Sequence, residues 1–255
     1  MHHNGDGIME IVGNAISLVT LKALIHVTTK PGATITFNKG STTMATKTAD
    51  SNGVAELEVL SGDWGSWTIS GSWNQSGIST AATGSTSLTI SEAKTYNASM
   101  PLRWYLISGG NFSAGFSTSK SGGAGGERGQ FKDNGDYVWL TYDIYTQSAN
   151  SSISGYFTNG IDMTDWGTLV IDSQERGNSS YVGVTADTSG QASFTASYLL
   201  AGQRSDFSSR STKSMSLSSV TGTKYVALKT SSWYSEYSSG TGTIRIYNLY
   251  LQSVG

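Results

Sequence analysis

The sequence has no cysteine, which excludes a disulfide framework and any thiolate metal site. Proline is almost as scarce, with 2 in 255 residues. Charged residues make up 13%, against about 25% in an average globular protein. The formal net charge is −2, and no block of Lys or Arg stands out. Non-specific nucleic-acid binding needs clustered cations that displace counterions from phosphates, so no nucleic-acid partner is expected. Long apolar runs are missing too. Ile16 to Val27 is broken by Ser17, Thr20, Lys22 and His26, and Met1–Asp6 has no cationic segment. Neither a membrane span nor a secretory signal is expected, and hence no membrane insertion. An extracellular destination would then require virion assembly with lysis, a removed signal, or an upstream domain.

What the chain does contain is glycine (31), abundant Ser and Thr, and aromatic residues throughout: 7 Trp, 13 Tyr and 7 Phe. Disordered chains lack aromatics, so the chain is expected to fold. A composition rich in Ser, Thr and Gly suits strands and turns better than helices. The length allows one large or two small domains, each with its own core.

Residues 1–24 read as an N-terminal arm. Ile8, Ile11, Val12, Ala15, Ile16 and Val19 fit a helical i, i+3, i+4 spacing. Gly13, Asn14 and the β-branched content argue for extended structure instead. The segment is more apolar than a free tail requires, so it is assigned an assembly role, with a simple first strand as the other reading. From residue 25 to 100 the pattern alternates with period two: Ile25-His26-Val27, Thr34 to Phe37, Val54 to Val59, Trp67 to Ile69. Turns are marked by Pro31-Gly32, Asn38-Lys39-Gly40 and Asp50-Ser51-Asn52-Gly53. Leu88 and Ile90, with Tyr96 and Ala98, are expected to form a closing hairpin.

The segments P-G-A-T-I-T-F (31–37), T-A-D-S-N-G-V-A (48–55) and G-D-W-G-S-W-T-I (62–69) resemble the carboxypeptidase-regulatory-like, or prealbumin-like, β-sandwich family and related PEGA-type surface modules. That resemblance implies a small Ig-like or prealbumin-like β-sandwich serving as a rigid spacer or presentation domain, without catalysis. Pro101 marks its end, because proline holds its predecessor extended and interrupts strand pairing.

Residues 101–255 keep the β pattern in short strands separated by Gly, Ser and Asn turns, as in a sandwich or jelly roll. The segments 161–171, 222–230 and 244–251 (I-R-I-Y-N-L-Y-L) resemble a C-terminal module of phage and prophage virion proteins, and jelly rolls that include carbohydrate-binding modules. A cysteine common early in that module is absent here. The expected fold is therefore all-β: two β-sandwich domains behind a short arm.

No catalytic set is legible. His2 and His3 sit on the terminus, and His26 lies in a strand pattern where a structural role is expected. Asp136, Asp143, Asp162, Asp165 and Glu236 are available as paired acids for glycoside hydrolysis, but that pairing is spatial, and each has a turn or surface explanation. Asp133-Asn134-Gly135-Asp136 has the oxygen ligands of a calcium loop without the EF-hand spacing; a β-turn is the preferred reading, with structural calcium on Asp133 and Asp136 as the alternative. Gly122 to Gly126 is a flexible loop rather than a phosphate loop, since no helix with Lys-Ser/Thr follows.

The aromatics Trp233, Tyr234 and Tyr237 stand in a polar stretch between two strands. Subunit contact, a capped sandwich end and stacking on a glycan are the readings for them. The expectation is a non-enzymatic bacteriophage virion protein of the tail or an appendage. Its partners would be other virion proteins through the arm, further copies of itself in a homo-oligomer, and a host-surface glycan. The alternatives are a carbohydrate-binding adhesin or receptor-binding protein, and a polysaccharide-degrading enzyme.

Overall fold

The computed structural model describes residues 8–12, 15–113, 115–121, 128–143, 151–175, 180–186, 188, 194–201, 207–232 and 244–254. Among these, regular structure is all strand apart from two short 3-10 turns, Ser61–Asp63 and Met163–Asp165. The protein is all-β. Tertiary contacts divide it into two compact units. One takes in the chain up to Asn74 and Ala81–Arg103; the other takes in Gln75–Thr80 and Trp104–Ser253.

At the N-terminus β1 (Ile8–Val12) and β2 (Ala15–Val19) pair antiparallel, Ile8 opposite Val19. The segment is extended, so its helical reading falls. Ile and Val lose side-chain freedom in a helix and fit a pleated strand.

The first unit continues with β3 (Lys22–Thr28), β4 (Thr34–Lys39), β5 (Thr42–Thr48), β6 (Val54–Leu60), β7 (Gly65–Trp73), β8 (Ala82–Ile90) and β9 (Thr95–Ser99). They form two sheets, β6-β3-β9 and β8-β7-β4-β5. Period-two alternation turns Ala23, Ile25 and Val27 inward from one sheet, and Ile35, Phe37, Trp67 and Ile69 from the other; all are buried. Full burial of one such Ile or Phe contributes on the order of 1.5–3 kcal/mol.

The turn into β6 is built by Asp50, whose Oδ1 accepts from the amides of Asn52 (2.8 Å) and Val54 (2.9 Å). Gly53 there has φ +77°, and a Cβ would fall 2.1 Å from the Thr29 carbonyl oxygen. Only glycine meets both conditions.

The expected closing hairpin is not there. β8 pairs with β7, while β9 joins the other sheet parallel to β3, Leu24 opposite Thr95. The chain crosses between sheets at 91–94, where the Tyr96 hydroxyl accepts from the amides of Ser91 (2.9 Å) and Glu92 (3.1 Å).

The second unit comprises β10 (Arg103–Ser108), β11 (Asn111–Phe112), β12 (Phe116–Ser121), β13 (Arg128–Asp133), β14 (Val138–Asp143), β15 (Ser151–Phe157), β16 (Ile161–Asp162), β17 (Trp166–Glu175), β18 (Ser180–Thr185), β19 (Phe194–Ala201), β20 (Ser211–Ser216), β21 (Thr223–Ser232) and β22 (Ile244–Ser253). One sheet is centred on β22, flanked by β17 and β20 on one edge and by β14, β13 and β10 on the other. The second runs β12-β15-β21-β18-β19. The chain passes back and forth between the two sheets, the winding of a jelly roll. Leu169, Ile171, Ile246, Leu249 and Leu251 from the first sheet and Val182, Val184, Val226 and Leu228 from the second are buried between them.

Two irregularities interrupt the pairing of β17 with β22, one that skips Gly167 between Trp166 and Thr168 and one in the middle of β22. At the second, Asp172 faces Asn248 but Ser173 faces Ile246, leaving Tyr247 without an opposite residue. This is a β-bulge. It lets Ile244 and Ile246 point inward on one side, and Leu249 and Leu251 on the other, while Tyr247 and Asn248 are both left half-buried.

Candidate ligand-binding face

The outward face of the β22-centred sheet is polar and aromatic. Register places its residues in rows. In one row β13, β14, β22 and β17 supply Lys132, Trp139, Arg245 and Gln174 in order. In the next, Asn248, Asp172 and Thr212 lie side by side on β22, β17 and β20. Beyond them Tyr250 of β22 faces Val170, and its ring meets Tyr105 of β10 with centroids 5.1 Å apart. Tyr137, at the mouth of the β13–β14 hairpin, meets Trp139 edge-on at 6.3 Å and Tyr247 at 5.6 Å.

The polar groups hold one another in fixed orientations. Arg210 grips Asp172 with two hydrogen bonds, Nε to Oδ1 at 2.9 Å and Nη2 to Oδ2 at 2.6 Å. Asn248 Nδ2 donates to the same carboxylate at 3.1 Å. The Arg210 guanidinium also lies over the Tyr247 ring at 3.8 Å, and the Tyr247 hydroxyl donates to Gln174 Oε1 at 2.6 Å. Gln174 in turn donates to the Ser208 carbonyl at 3.1 Å. The result is a braced lattice of planar groups with its rings half-buried.

The hydrogen bond from Arg210 holds the Asp172 carboxyl below the usual carboxylate range, with help from Asn248 and against the opposing effect of burial. A depressed pKa contributes stability that is present above the unfolded value, about 3.9, and lost as pH falls through the folded value. The melting temperature should therefore drop as pH falls from 4 towards 2, and drop less in Asp172→Asn. An equal acid sensitivity in both proteins would remove Asp172 as the titrating group.

The residues singled out from sequence fare differently. Trp233, Tyr234, Tyr237 and Glu236 lie outside the described residues, as do Gly122–Gly126. Asp133 ends β13 opposite Val138, and Asn134 N donates to the Tyr137 carbonyl at 3.1 Å across a hairpin turn containing Gly135 at φ +82°. Asp136 in that turn is exposed. Among the described residues no three His, Cys, Asp or Glu side chains gather around a metal position.

The candidate acids Asp162 and Asp165 have turn duties. Asp162 Oδ1 accepts from the Thr164 amide (3.0 Å) and hydroxyl (2.7 Å), which lowers its pKa, and Asp165 accepts from Gln75 Nε2 (3.2 Å). Asp143 lies in β14, and its side chain is outside the description. His26 pairs with Glu56 across β3 and β6 at 2.7 Å.

Tyr247, Asn248, Arg245 and Trp139 were not singled out from the sequence. One signal was present: in I-R-I-Y-N-L-Y-L the alternation skips a beat at Tyr247-Asn248, which marks a bulge and two outward residues in succession.

No family model matches the sequence, and no curated protein matches it. Among solved structures, the chain is similar to a family 11 carbohydrate-binding module from Clostridium thermocellum in complex with a β-1,3-1,4-mixed-linked tetrasaccharide, at 11% identity and TM-score 0.36, over 58% of this chain and 94% of that one. It is also similar to the Endo-D glycoside hydrolase domain from Streptococcus pneumoniae R6, at 13% identity and TM-score 0.36, over 52% of this chain and 21% of that one. A third similarity is to the enzymatically active domain of bacteriophage CBA120 tailspike protein 4, at 12% identity and TM-score 0.34, over 58% of this chain. This chain spans about a fifth of that tailspike domain and of the hydrolase domain. Similarity at this level carries no functional weight, so the chemistry has to come from the residues themselves.

Proposed function

We propose that this chain is a non-enzymatic glycan-binding attachment protein, and that the outward face of the β22-centred sheet receives the sugar. One observation carries this reading. Half-buried rings (Tyr105, Tyr137, Trp139, Tyr250) share a face with planar hydrogen-bonding groups (Gln174, Asn248, Asp172, Arg210) already fixed by mutual contacts. A sugar ring presents apolar C–H faces and a girdle of hydroxyls. It needs a flat apolar surface beside oriented donors and acceptors, and it loses less affinity when those groups need no ordering.

Binding is tested by calorimetry against a panel of soluble polysaccharides. Replacing Trp139 and Tyr250 together by Ala is expected to weaken the best ligand at least about tenfold, the usual loss on truncating interface anchors. Unchanged affinity in the double variant, or no binding to any member of the panel, would sink the assignment. Release of new reducing ends from a bound polysaccharide would overturn the non-enzymatic part.

The setting we propose is a bacteriophage particle, on the tail or an appendage, with the N-terminal hairpin β1–β2 joining the chain to other virion proteins and to further copies of itself. Support comes from the resemblance of segments 161–171, 222–230 and 244–251 to virion modules. Detection of the chain in purified particles by mass spectrometry is the expected result. Its absence from them, with a monomer in solution, would remove the virion setting and leave the binding face as a separate matter.

A further inference from the structure

Arg245 is a guanidinium on this face whose charge meets no anion among the described residues. Arg210, its neighbour, is neutralised by Asp172 at 2.6 Å. Arg245 instead stands among aromatic rings: 3.9 Å from the centroid of Phe207, 5.2 Å from Tyr137 and 6.0 Å from Trp139. Among the described residues its side chain makes no ion pair and no hydrogen bond, and its Nε is shut off from solvent without an acceptor. Trp139 Nε1, beside it in the same row, is likewise buried without an acceptor.

Ring stacking strips water from a cation and locks its orientation. Such a charge normally lies against an anion, because a desolvated charge without one is costly. The outward residues facing it across the neighbouring strands are Gln174 and Trp139, neither of which is acidic. Lys132 holds the next register position in the row, adding a second cation to the sequence of that strip.

We propose that the glycan taken by this face is acidic, a uronate-bearing polysaccharide, and that Arg245 receives the carboxylate of one sugar residue. This rests on the glycan-binding reading above and specifies its ligand class. With Arg210 and Asp172 cancelling, Arg245 offers an uncompensated planar cation, which a planar monoanionic group matches. A planar carboxylate suits a planar guanidinium in the two-pronged geometry that makes such pairs strong. The rings that brace Arg245 give the sugar its stacking surface in the same place.

The test uses the full chain and one polymer in two forms: polygalacturonate, and the same polymer with its carboxyl groups reduced to alcohols. Wild type is expected to prefer the acidic form by about ten- to a hundredfold at low salt, the range for a charged pair removed from water. Arg245→Gln should lose that preference while keeping its affinity for the reduced polymer. Arg245→Lys should keep part of it, since it retains the charge but not the planar fork. An unchanged melting temperature in Arg245→Gln shows that the loss is local.

Equal binding of both forms by wild type overturns the acidic assignment and leaves the glycan-binding reading standing. Binding of neither form, nor of any polysaccharide in the wider panel, overturns that reading itself. A phosphodiester-linked wall polymer binding more tightly than polygalacturonate would overturn the choice of carboxylate. Poly-glutamate binding as tightly as polygalacturonate would show a charged patch rather than a sugar site, and would also overturn the proposal.

Discussion

Lys213→Met is expected to lower the unfolding free energy of the second unit by about 3–5 kcal/mol, the usual cost of leaving one member of a buried ion pair behind. The Glu175 side chain is only 1% exposed, and Lys213 Nζ lies 3.0 Å from its Oε2. Ser208 Oγ donates to the same oxygen at 3.0 Å, Ser173 Oγ donates to the other, and Lys213 also donates to the Leu200 carbonyl on β19. The pair thus links β17 and β20 of one sheet to an edge strand of the other. Take away the ammonium and the carboxylate stays in the interior with hydroxyl partners alone.

The double variant Glu175→Gln, Lys213→Met removes both charges and should recover most of the loss, as coupled sites do. The exposed pair Lys22–Glu58, with side chains 56% and 65% exposed, is the control. Lys22→Met should change stability by less than about 1 kcal/mol. Denaturant midpoints of the four proteins check the set. A Lys213→Met chain as stable as wild type would mean that Glu175 finds another partner and that the pair does not hold the sheets together.

Trp104→Ala should cost a similar amount, about 3–5 kcal/mol, as a large side chain is cut from a close-packed interior. Trp104 is fully buried and its ring lies 6.5 Å from that of Trp166. The two indoles differ in their polar atom. Trp166 Nε1 donates to Gln75 Oε1 at 2.8 Å, whereas Trp104 Nε1 is buried without an acceptor. Trp104→Phe therefore removes a donor that gains nothing from folding, and its cost should stay below that of Trp166→Phe, which also abandons Gln75. Thermal melts of the three variants decide the matter; Trp104→Phe falling as far as Trp104→Ala would mean the indole N–H is satisfied in solution.

The all-β class was legible because inward and outward residues alternate wherever a strand has one wet face, as along Ala23-Leu24-Ile25-His26-Val27. Asp50 and Gly53 announced their turn because its chemistry is local. The route after β8 was not legible. Nothing near Ser91 distinguishes a hairpin from a crossing until the Tyr96 hydroxyl is known to close over two amides.

The candidate face was hidden for a related reason. Tyr137, Asp172, Arg210 and Arg245 are far apart in the chain, and only strand register makes them neighbours. The aromatics conspicuous in the sequence are Trp233, Tyr234 and Tyr237, which cluster in one stretch of chain. Proximity along the chain is visible in a sequence; proximity across a sheet is not.

The bulge at Tyr247 also separates two kinds of constraint that a regular strand would bind together. In a strictly alternating strand, sliding the pairing by a single residue exchanges the whole inner set for the outer one. At Tyr247 β22 carries one residue more than the stretch of β17 opposite requires, so the strand behaves there as two short rulers with a slack joint between them. Each ruler is held in phase by its own pair of core residues. The joint, which falls within the candidate face, can change residue identity without disturbing either, so the outer surface is free to diverge while the scaffold beneath it stays the same.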